Sequence, residues 1–177
     1  MKYLIISDIH GSSKFLNKVL DINNKFDKLI ILGDILYHGP RNKLPNGYNP
    51  MEVIQVLNNI KDKIISVRGN CDAKIDLELL EFLISDHKCL DIDNCRVFLT
   101  HGDVYNKDNI PSDLKISLII HGHTHKNEIC LVEDKKIINI GSLSMPKDGH
   151  HTYAIIQDSK IEVYDLMTNK IILEDTL

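Results

Sequence analysis

The sequence of 177 residues lacks the features that mark several classes of protein. Its formal net charge is -4 and it contains no basic run, which argues against a nucleic-acid scaffold. Its four cysteines form no CxxC pair. No apolar run is long enough to cross a membrane, and the apolar start of MKYLIISDIH is too short for a signal peptide. We therefore expect reduced thiols in a cytoplasmic protein.

The composition is that of a globular protein with one core. Hydrophobic residues make up 43% of the chain and charged residues 26%. The length fits one domain of ordinary size, and the sequence has neither an internal repeat nor a linker. We predict a single domain over residues 1–177.

The first part of the chain alternates short apolar runs with segments of helical periodicity. A long loop rich in Gly, Pro and Asn spans residues 37–50, and Ser12 or Ser13 is a candidate N-cap. The predicted order is strand Tyr3–Ser7, helix Ser12–Lys25, strand Lys28–Leu32, helix Met51–Ile60, strand Lys63–Val67 and a short helix Asp76–Leu83. This alternation predicts a parallel βαβ sheet.

The second part of the chain has closely spaced strand signals without helices between them. The predicted strands are Lys88–Ile92, Arg96–Thr100, Leu118–Ile120, Glu128–Val132, Ile137–Ile140, Tyr153–Gln157, Lys160–Leu166 and an edge strand Lys170–Leu173. Several of them flank short polar turns and read as hairpins. We therefore predict an α/β fold in which a parallel half precedes an antiparallel half, as two packed sheets with helices outside.

Polar residues cluster directly after five of the predicted strands. The carboxyl ends of strands in α/β sheets converge on one edge, where ligands bind. Together the five loops would bring two Asp, one Asn and four His side chains to that edge. The segments are Asp8-Ile9-His10, Gly33-Asp34, Gly69-Asn70-Cys71-Asp72, His101-Gly102 and Gly122-His123-Thr124-His125.

This set of nitrogen and oxygen groups is typical of a metal site. It suits Mn, Fe, Zn, Ni or Co, and it is too large for one tetrahedral ion. Two ions that share a carboxylate are a standard device for phosphoryl chemistry, because they neutralise phosphate oxygens and lower the pKa of a shared water molecule. The sequence therefore predicts a dinuclear site for phosphoester hydrolysis.

The order DxH, GD, GNxD, GH, GHxH is similar to that of the calcineurin-like metallophosphoesterase superfamily. The loop from Gly33 to Asn42, the GNCD at 69–72 and the late segment from Gly141 to Lys147 resemble the YfcE-like bacterial phosphodiesterases. The resemblance covers nearly the whole chain. It implies a four-layer α/β/β/α sandwich with mixed β-sheets, and two divalent ions, with manganese favoured over zinc, iron or nickel.

The resemblance also implies roles for individual residues. Asp34 would bridge both metals, and it would act in catalysis together with Asn70, His101 and Asp72. Asp72 would stand behind the ligands and orient a histidine. One metal would be held by Asp8, His10 and His125, and the other by Asn70, His101 and His123.

One position departs from the broad superfamily. Many members have a histidine, thought to protonate the leaving oxygen, where this chain has Cys71. A thiol is a poor acid near neutral pH, so we expect leaving groups that need protonation to react slowly. His38 or a metal-bound water molecule is the alternative proton source. Cys71 and Arg41 are candidates for contact with substrate, although a structural salt bridge is an equally good interpretation of Arg41.

Other polar residues near these segments are assigned to supporting roles. Ser142 and Ser144 are expected to support the metal loops through backbone contacts, and His121 and Arg68 to be structural. We expect His150 and His151 to be exposed.

The predicted function is that of a metal-dependent phosphodiesterase acting on a small phosphoester with an activated water or hydroxide. Two alternatives stay open. A phosphomonoesterase or pyrophosphate-cleaving enzyme could use the same site, and a scaffold similar to a retromer subunit could use the same fold without catalysis. The complete ligand set favours an enzyme. A homodimer is expected from the resemblance alone.

Overall fold

The computed structural model describes residues 1–112 and 115–177, and two β-sheets make up most of it. The strands are β1 Tyr3–Ile6, β2 Lys28–Ile31, β3 Ile64–Val67, β4 Ile84–Ser85, β5 Lys88–Ile92, β6 Cys95–Leu99, β7 Leu118–His121, β8 Asn127–Val132, β9 Lys135–Ile140, β10 Thr152–Gln157, β11 Lys160–Asp165 and β12 Lys170–Thr176. The helices are α1 Ser13–Ile22, α2 Pro50–Asn59 and α3 Lys74–Leu77, with a 3-10 turn at Lys61–Lys63.

The first sheet has seven strands in the order β12-β11-β10-β1-β2-β3-β4. Strands β1 to β4 run parallel; the parallel arrangement of β1, β2 and β3 was predicted, and β4 was not. Strand β1 also pairs antiparallel with β10, so that Ile5 lies between Ile30 and Ala154. The last three strands therefore extend the parallel sheet, where the sequence predicted a separate antiparallel half.

The second sheet has five strands in the order β5-β6-β7-β9-β8. Its three central strands β6, β7 and β9 are parallel, and β5 and β8 pair antiparallel with them at the edges. The sequence predicted an antiparallel half here, and the parallel pairing of β6, β7 and β9 corrects that part of the prediction. Parallel neighbours need a long crossover, and the segment 100–117 supplies one between β6 and β7 even though its described residues form no helix.

Three layers of apolar contact hold the sheets and helices together. On the outer face of the first sheet, Leu16 and Leu57 of α1 and α2 pack against strand residues such as Leu4. Between the sheets, Ile5, Ile30, Val67, Val97, Leu118 and Ile138 form a buried interior. On the outer face of the second sheet, Phe98, Ile119 and Ile137 are covered by residues of the segment after β6. The predicted α/β class with two mixed sheets is confirmed.

Helix α1 has its predicted N-cap, and α2 has an N-cap that was not predicted. Helix α1 begins after Ser12, whose Oγ accepts a hydrogen bond from the amide of Phe15 at 3.5 Å. Helix α2 begins after Asn49, whose Oδ1 accepts from the amide of Glu52 at 3.3 Å. In the described part of the chain, no helix has both the length and the apolar character needed to cross a lipid bilayer.

The predicted helix at Asp76–Leu83 is wrong. The helix found there is α3, which ends at Leu77, and Ile84–Ser85 forms β4 beside β3. Asn58 explains the change, because its side chain donates to the Leu79 carbonyl at 3.0 Å and accepts from the Glu81 amide at 2.9 Å. These bonds satisfy backbone groups that a longer helix would have paired internally.

Candidate metal centre

The seven predicted metal ligands converge at the carboxyl ends of five strands from both sheets. Asp8 and His10 follow β1, Asp34 follows β2, Asn70 follows β3, His101 follows β6, and His123 and His125 follow β7. Neighbouring side chains in the set lie 3.1 to 3.7 Å apart, measured between nitrogen and oxygen atoms. The centre is therefore built where the two sheets meet.

Each aspartate uses one oxygen for anchoring and turns the other towards the histidines. Asp8 Oδ2 accepts from the Ser7 hydroxyl at 2.6 Å and the His123 amide at 3.0 Å. Asp8 Oδ1 faces His125 Nε2 at 3.1 Å and His10 Nε2 at 3.5 Å. Asp34 Oδ1 accepts from the Cys71 amide at 2.8 Å. Asp34 Oδ2 lies 3.4 Å from His101 Nε2 and 3.7 Å from His10 Nε2, between two groups of candidate ligands.

Three histidines are oriented by backbone carbonyls. The Nδ1 atoms of His10, His101 and His125 lie 2.7, 2.7 and 2.6 Å from the carbonyl oxygens of Tyr37, Leu32 and Met145. A carbonyl oxygen only accepts, so each Nδ1 carries a proton. In a neutral ring, Nε2 then offers a lone pair to the centre, as in metal-bound histidines whose other nitrogen is hydrogen-bonded.

These lone pairs face other acceptors, which is the arrangement that a cation would stabilise. His10 Nε2 and His125 Nε2 are 3.2 Å apart, and His101 Nε2 is 3.1 Å from Asn70 Oδ1. Asp8 Oδ1 is buried and has no hydrogen-bond partner among the described residues. Acceptors this close repel one another unless positive charge lies between them. The residues therefore fit a divalent ion with nitrogen and oxygen ligands.

The centre contains overlapping sets of side chains that could hold an ion. Three sets each bring their ligand atoms within 4.8 Å of one another. They are Asp8, His10 and His125; Asp8, Asp34 and His101; and His10, Asp34 and Cys71. The first is one of the two predicted ligand sets. The second contains His101 and the predicted bridging residue Asp34, but it has Asp8 in place of Asn70 and His123.

The charged groups inside the centre shift the pKa values of Asp8 and His101 in opposite directions. Burial opposes the ionisation of Asp8, but the close imidazoles of His10 and His125 hold its pKa well below the usual range. Burial would lower the pKa of His101, but the Asp34 and Asp8 carboxylates outweigh it and raise that pKa to about 10. Without metal, the His101 imidazolium therefore supplies positive charge, and a bound ion would have to displace its proton.

Five of the seven candidate ligands adopt a left-handed backbone conformation. The φ angles are 55° at Asp8, 46° at His10, 53° at Asp34, 68° at His123 and 60° at His125. This conformation costs a non-glycine residue about 1–2 kcal/mol, and such strain concentrates at functional sites. Asp and His tolerate it better than most residues. The surrounding structure must hold these five residues in place.

Part of that support comes from the loop after β9. The hydroxyls of Ser142 and Ser144 donate to the Asp8 carbonyl at 3.0 and 3.1 Å, as their predicted supporting role requires. The Met145 carbonyl orients His125. The supporting contacts of Ser7 and of the carbonyls of Leu32, Tyr37 and Met145 were not predicted from the sequence. Ser7 directly precedes Asp8 and could have been noticed, whereas a backbone carbonyl leaves no trace in residue type.

Asp72 does not orient a histidine. Its Oδ2 accepts from the amides of Asp34 and Gly69, and its Oδ1 from the amide of Ile35, all at 2.8 Å. Burial raises the pKa of Asp72, against the effect of these amides. The side chain joins the loops after β2 and β3, since three backbone donors in this turn have no partner within a strand or helix. Asp72 therefore holds two loops together and does not make the predicted contact with a histidine ring.

A cleft of about 570 Å³ opens over the centre. We call it the Arg41 cleft, and its lining includes His10, Asp34, Arg41, Cys71, His123 and Lys147. The side chains of Arg41 and Lys147 are exposed and form no ion pair with any residue that the structure describes. The sequence indicated Arg41 and Cys71 for substrate contact, and both line the cleft. Lys147 was not predicted.

His38 is not brought to the cleft. Its ring packs edge-on against Tyr37 and Tyr48, at centroid distances of 4.8 and 5.4 Å. The preceding Tyr37 carbonyl is committed to His10, which fixes the backbone at this point of the loop. The structure therefore gives no support to His38 as the proton source.

The remaining polar residues near the site have structural contacts. Arg68 forms an ion pair with Asp86 at 3.1 Å, and buried His121 contacts the Gly122 carbonyl. His150 pairs with Asp165 at 2.8 Å and keeps about half of its side chain exposed. The prediction that His151 is exposed is wrong, because its ring stacks on Phe15 and its Nδ1 contacts the Leu143 carbonyl.

Comparisons with known proteins point to one family. The family model described as the calcineurin-like phosphoesterase superfamily domain matches residues 1–160. Phosphodiesterase YfcE from Escherichia coli strain K12 is 38% identical over 181 aligned residues, which cover 98% of this chain and 97% of that protein. Phosphodiesterase MJ0936 from Methanocaldococcus jannaschii is 27% identical, over 94% of this chain and 99% of that protein.

Solved structures with a similar fold agree with the family match. The structure of the Escherichia coli phosphoesterase Yfce superposes with a TM-score of 0.94 at 36% identity, over 99% of both chains. Vacuolar protein sorting 29 from Cryptosporidium parvum superposes with a TM-score of 0.65 at 19% identity, over 99% of this chain and 98% of that one, which shows likeness of fold alone. The match of the family model to most of the chain and the 38% identity over nearly its full length show that this chain belongs to the calcineurin-like phosphoesterase superfamily.

Proposed function

We propose that this protein is a metal-dependent phosphodiesterase with a dinuclear centre. The observation that carries the proposal is the convergence of the Asp8, Asp34, Asn70 and histidine side chains at one point, around a buried Asp8 Oδ1 that has no hydrogen-bond partner among the described residues. The near full-length likeness to a protein named phosphodiesterase supports the diester specificity.

The proposed ligand sets follow the two clusters of side chains. Asp8, His10 and His125 would hold one ion, and Asn70, His101 and His123 the other, with Asp34 Oδ2 facing both. Two divalent ions in these positions supply Lewis acidity, neutralise phosphate oxygens and lower the pKa of a shared water molecule. The His123 ring would bind through Nδ1, which lies 3.2 Å from His101 Nε2.

The protein's own residues orient the reaction. The carbonyls of Leu32, Tyr37 and Met145 fix three imidazoles, and the amides around Asp72 fix the loop that carries Asp34. Such anchoring keeps reacting groups within the small tolerance that catalysis requires. Arg41 and Lys147 place two positive charges along the cleft, where they would attract a phosphate group.

Manganese stays the predicted metal, with zinc, iron and nickel as alternatives. The donor set of imidazole, carboxylate and amide oxygen suits all four ions. A scaffold role is the less favoured interpretation, since every ligand position carries a metal-binding residue and the likeness to vacuolar protein sorting 29 concerns the fold alone. Location in the cytoplasm, one domain over 1–177 and a homodimer stay predictions.

The test is hydrolysis of bis(p-nitrophenyl) phosphate by metal-stripped protein to which Mn²⁺ is added back. We expect metal-dependent turnover in the wild type. It should fall by at least about 100-fold in Asp34→Asn and His123→Ala, because each removes a group proposed to bind metal. His150→Ala, a histidine outside the centre, is the matched control and should retain activity.

Either of two results would contradict the proposal. One is a folded protein that shows no turnover with Mn²⁺, Zn²⁺, Fe²⁺ or Ni²⁺. The other is faster hydrolysis of p-nitrophenyl phosphate than of the diester, which would favour a phosphomonoesterase on the same site. Circular dichroism of each variant would separate loss of metal from loss of fold.

A further inference from the structure

A second cavity, of about 540 Å³, adjoins the metal centre at Asn70. We call it the Tyr105 cavity, and its lining includes Arg68, Asn70, Asp86, His87, Asp103 and Tyr105. Asn70 and Asp72 line both cavities, so the two cavities meet beside the candidate ligand Asn70. A phosphodiester has two ester arms on one phosphorus. If the phosphate binds at the centre, as the proposed function requires, one arm can enter each cavity.

Aromatic rings form one wall of the Tyr105 cavity. The rings of His87 and Tyr105 lie 5.8 Å apart and nearly perpendicular, at 84°. Both rest on Phe98, which stacks on His87 at 5.2 Å and meets Tyr105 edge-on at 5.4 Å. Phe98 belongs to the buried cluster on the second sheet, so the wall has a fixed backing. Val104 adds an exposed apolar side chain beside it.

The charges in this cavity disfavour an anionic arm. Arg68 is paired with Asp86 at 3.1 Å, whereas the Asp103 carboxylate has no ion pair among the residues that the structure describes. The cavity therefore carries net negative charge, in contrast to the Arg41 cleft with its unpaired Arg41 and Lys147. A second phosphate or a carboxylate would be repelled by Asp103. An uncharged, flat group can pack against the rings of His87 and Tyr105 without electrostatic repulsion from Asp103.

We propose that the Tyr105 cavity binds an uncharged aromatic ring on one ester arm of the substrate. The ring packs against Tyr105 and His87, and Asp103 accepts a hydrogen bond where the ring carries an N–H or amino group. The substrate class is thus a phosphodiester of an aryl or nucleobase-bearing alcohol. The proposal rests on the proposed function for the position of the phosphate only, since binding in the cavity needs no hydrolysis.

The experiment compares the binding of two diesters to the Mn²⁺-loaded protein by isothermal titration calorimetry. Methyl phenyl phosphate carries one ring, and dimethyl phosphate carries none. We expect the wild type to bind methyl phenyl phosphate about tenfold more tightly, as for one ring packed on an aromatic wall. In His87→Ala and Tyr105→Leu this preference should fall at least threefold. Leu at position 105 still covers Phe98, which protects the fold.

His150→Ala is the matched control and should keep the tenfold preference. Equal binding of the two diesters by the wild type, binding of neither, or a preference that persists in both cavity variants would each overturn the assignment. The result is separate from the hydrolysis test. Loss of turnover without loss of the ring preference would contradict the proposed function alone, and normal turnover without a ring preference would contradict the cavity assignment alone.

Discussion

Gly69 approaches Asp34 so closely that no side chain fits between them. A Cβ atom at position 69 would lie 2.2 Å from Asp34 Oδ1 and 2.4 Å from the Asp34 amide nitrogen. Gly122 is similar, since its Cβ would lie 2.4 Å from Asp8 Oδ2. The glycines that accompany the ligand residues in the motifs therefore have a direct role, which is to let the two carboxylates reach the centre.

We predict that Gly69→Ala lowers Mn²⁺-dependent diester hydrolysis by about 100-fold, because the added methyl group displaces Asp34 and misplacement of about 1 Å costs that much. The matched control is Gly149→Ala, where a Cβ would meet nothing within 4 Å. Its positive φ should cost about 1 kcal/mol of stability without loss of activity. Equal activity of Gly69→Ala and the wild type would show that Asp34 is not held by this contact.

We propose that Cys71 limits how well the protein can protonate a leaving group. Burial and the nearby Asp34 carboxylate raise the pKa of its thiol to about 12 in the metal-free protein, so the thiol is a weak acid. For aryl phosphodiesters of rising leaving-group pKa, we predict a steep fall in kcat. Cys71→His should make the slope shallower, with a gain of up to about 100-fold for the poorest leaving groups.

Cys71→Ser is the control for this series, because a hydroxyl is no better an acid than the thiol, and its slope should match that of the wild type. A flat dependence of kcat on leaving-group pKa in the wild type would mean that protonation is not limiting, or that another group supplies the proton.

At the scale of elements, three hairpin turns use paired left-handed residues. The turn between β8 and β9 has φ angles of 49° at Glu133 and 62° at Asp134, and similar pairs occur at Asp93–Asn94 and Asp158–Ser159. Such turns match the twist of the strands and favour Asn followed by Gly. Glu133 and Asp134 are therefore an unfavourable pair for this turn.

We predict that the double substitution Glu133→Asn and Asp134→Gly raises the free energy of unfolding by about 1 kcal/mol, measured by urea denaturation. The gain comes from relief of backbone strain. Asp62→Gly in the 3-10 turn is the control, since φ is not positive there, and it should lower stability. A fall in stability with the double substitution would show that its side chains contribute more than the turn geometry.

The sequence predicted helices and strands correctly where a single local feature, such as an N-cap or the spacing of apolar residues, determines them. Ser12 and the apolar spacing of Phe15, Leu16 and Val19 indicated α1, and the alternating runs indicated the hairpins. The helix predicted at Asp76–Leu83 failed because Asn58, distant in sequence, captures two backbone groups there. A side chain that competes with a helix for its backbone groups from more than 20 residues away cannot be predicted from a window of neighbouring residues.

At the scale of the whole molecule, strands from both ends of the chain share one sheet. Strand β1 pairs with β2 on one side and with β10 on the other, and the two sheets enclose a common interior. We predict one cooperative unfolding transition in urea, with coincident midpoints by circular dichroism and tyrosine fluorescence. Two separate midpoints would contradict the predicted single domain.

The convergence of the seven candidate ligands followed from the sequence, whereas their exact supports did not. Strand ends meet at a sheet edge whatever the register, so Asp34 and His101 were expected to be neighbours. The pairing of β10 with β1 depends on the order of strands, which apolar patterns leave open. The same holds for the cavity beside Tyr105, because it forms between segments that no local pattern connects.

The hydrogen bond from Ser144 to the Asp8 carbonyl spans 136 positions of the chain. At roughly 5–20 residues per second on the ribosome, Asp8 is therefore made about 7 to 27 seconds before the serine whose hydroxyl holds its loop. His125 and β10 also emerge late. The nascent chain thus carries its first candidate metal ligands long before they can form a centre, and we expect metal loading to be one of the last events in the maturation of each molecule.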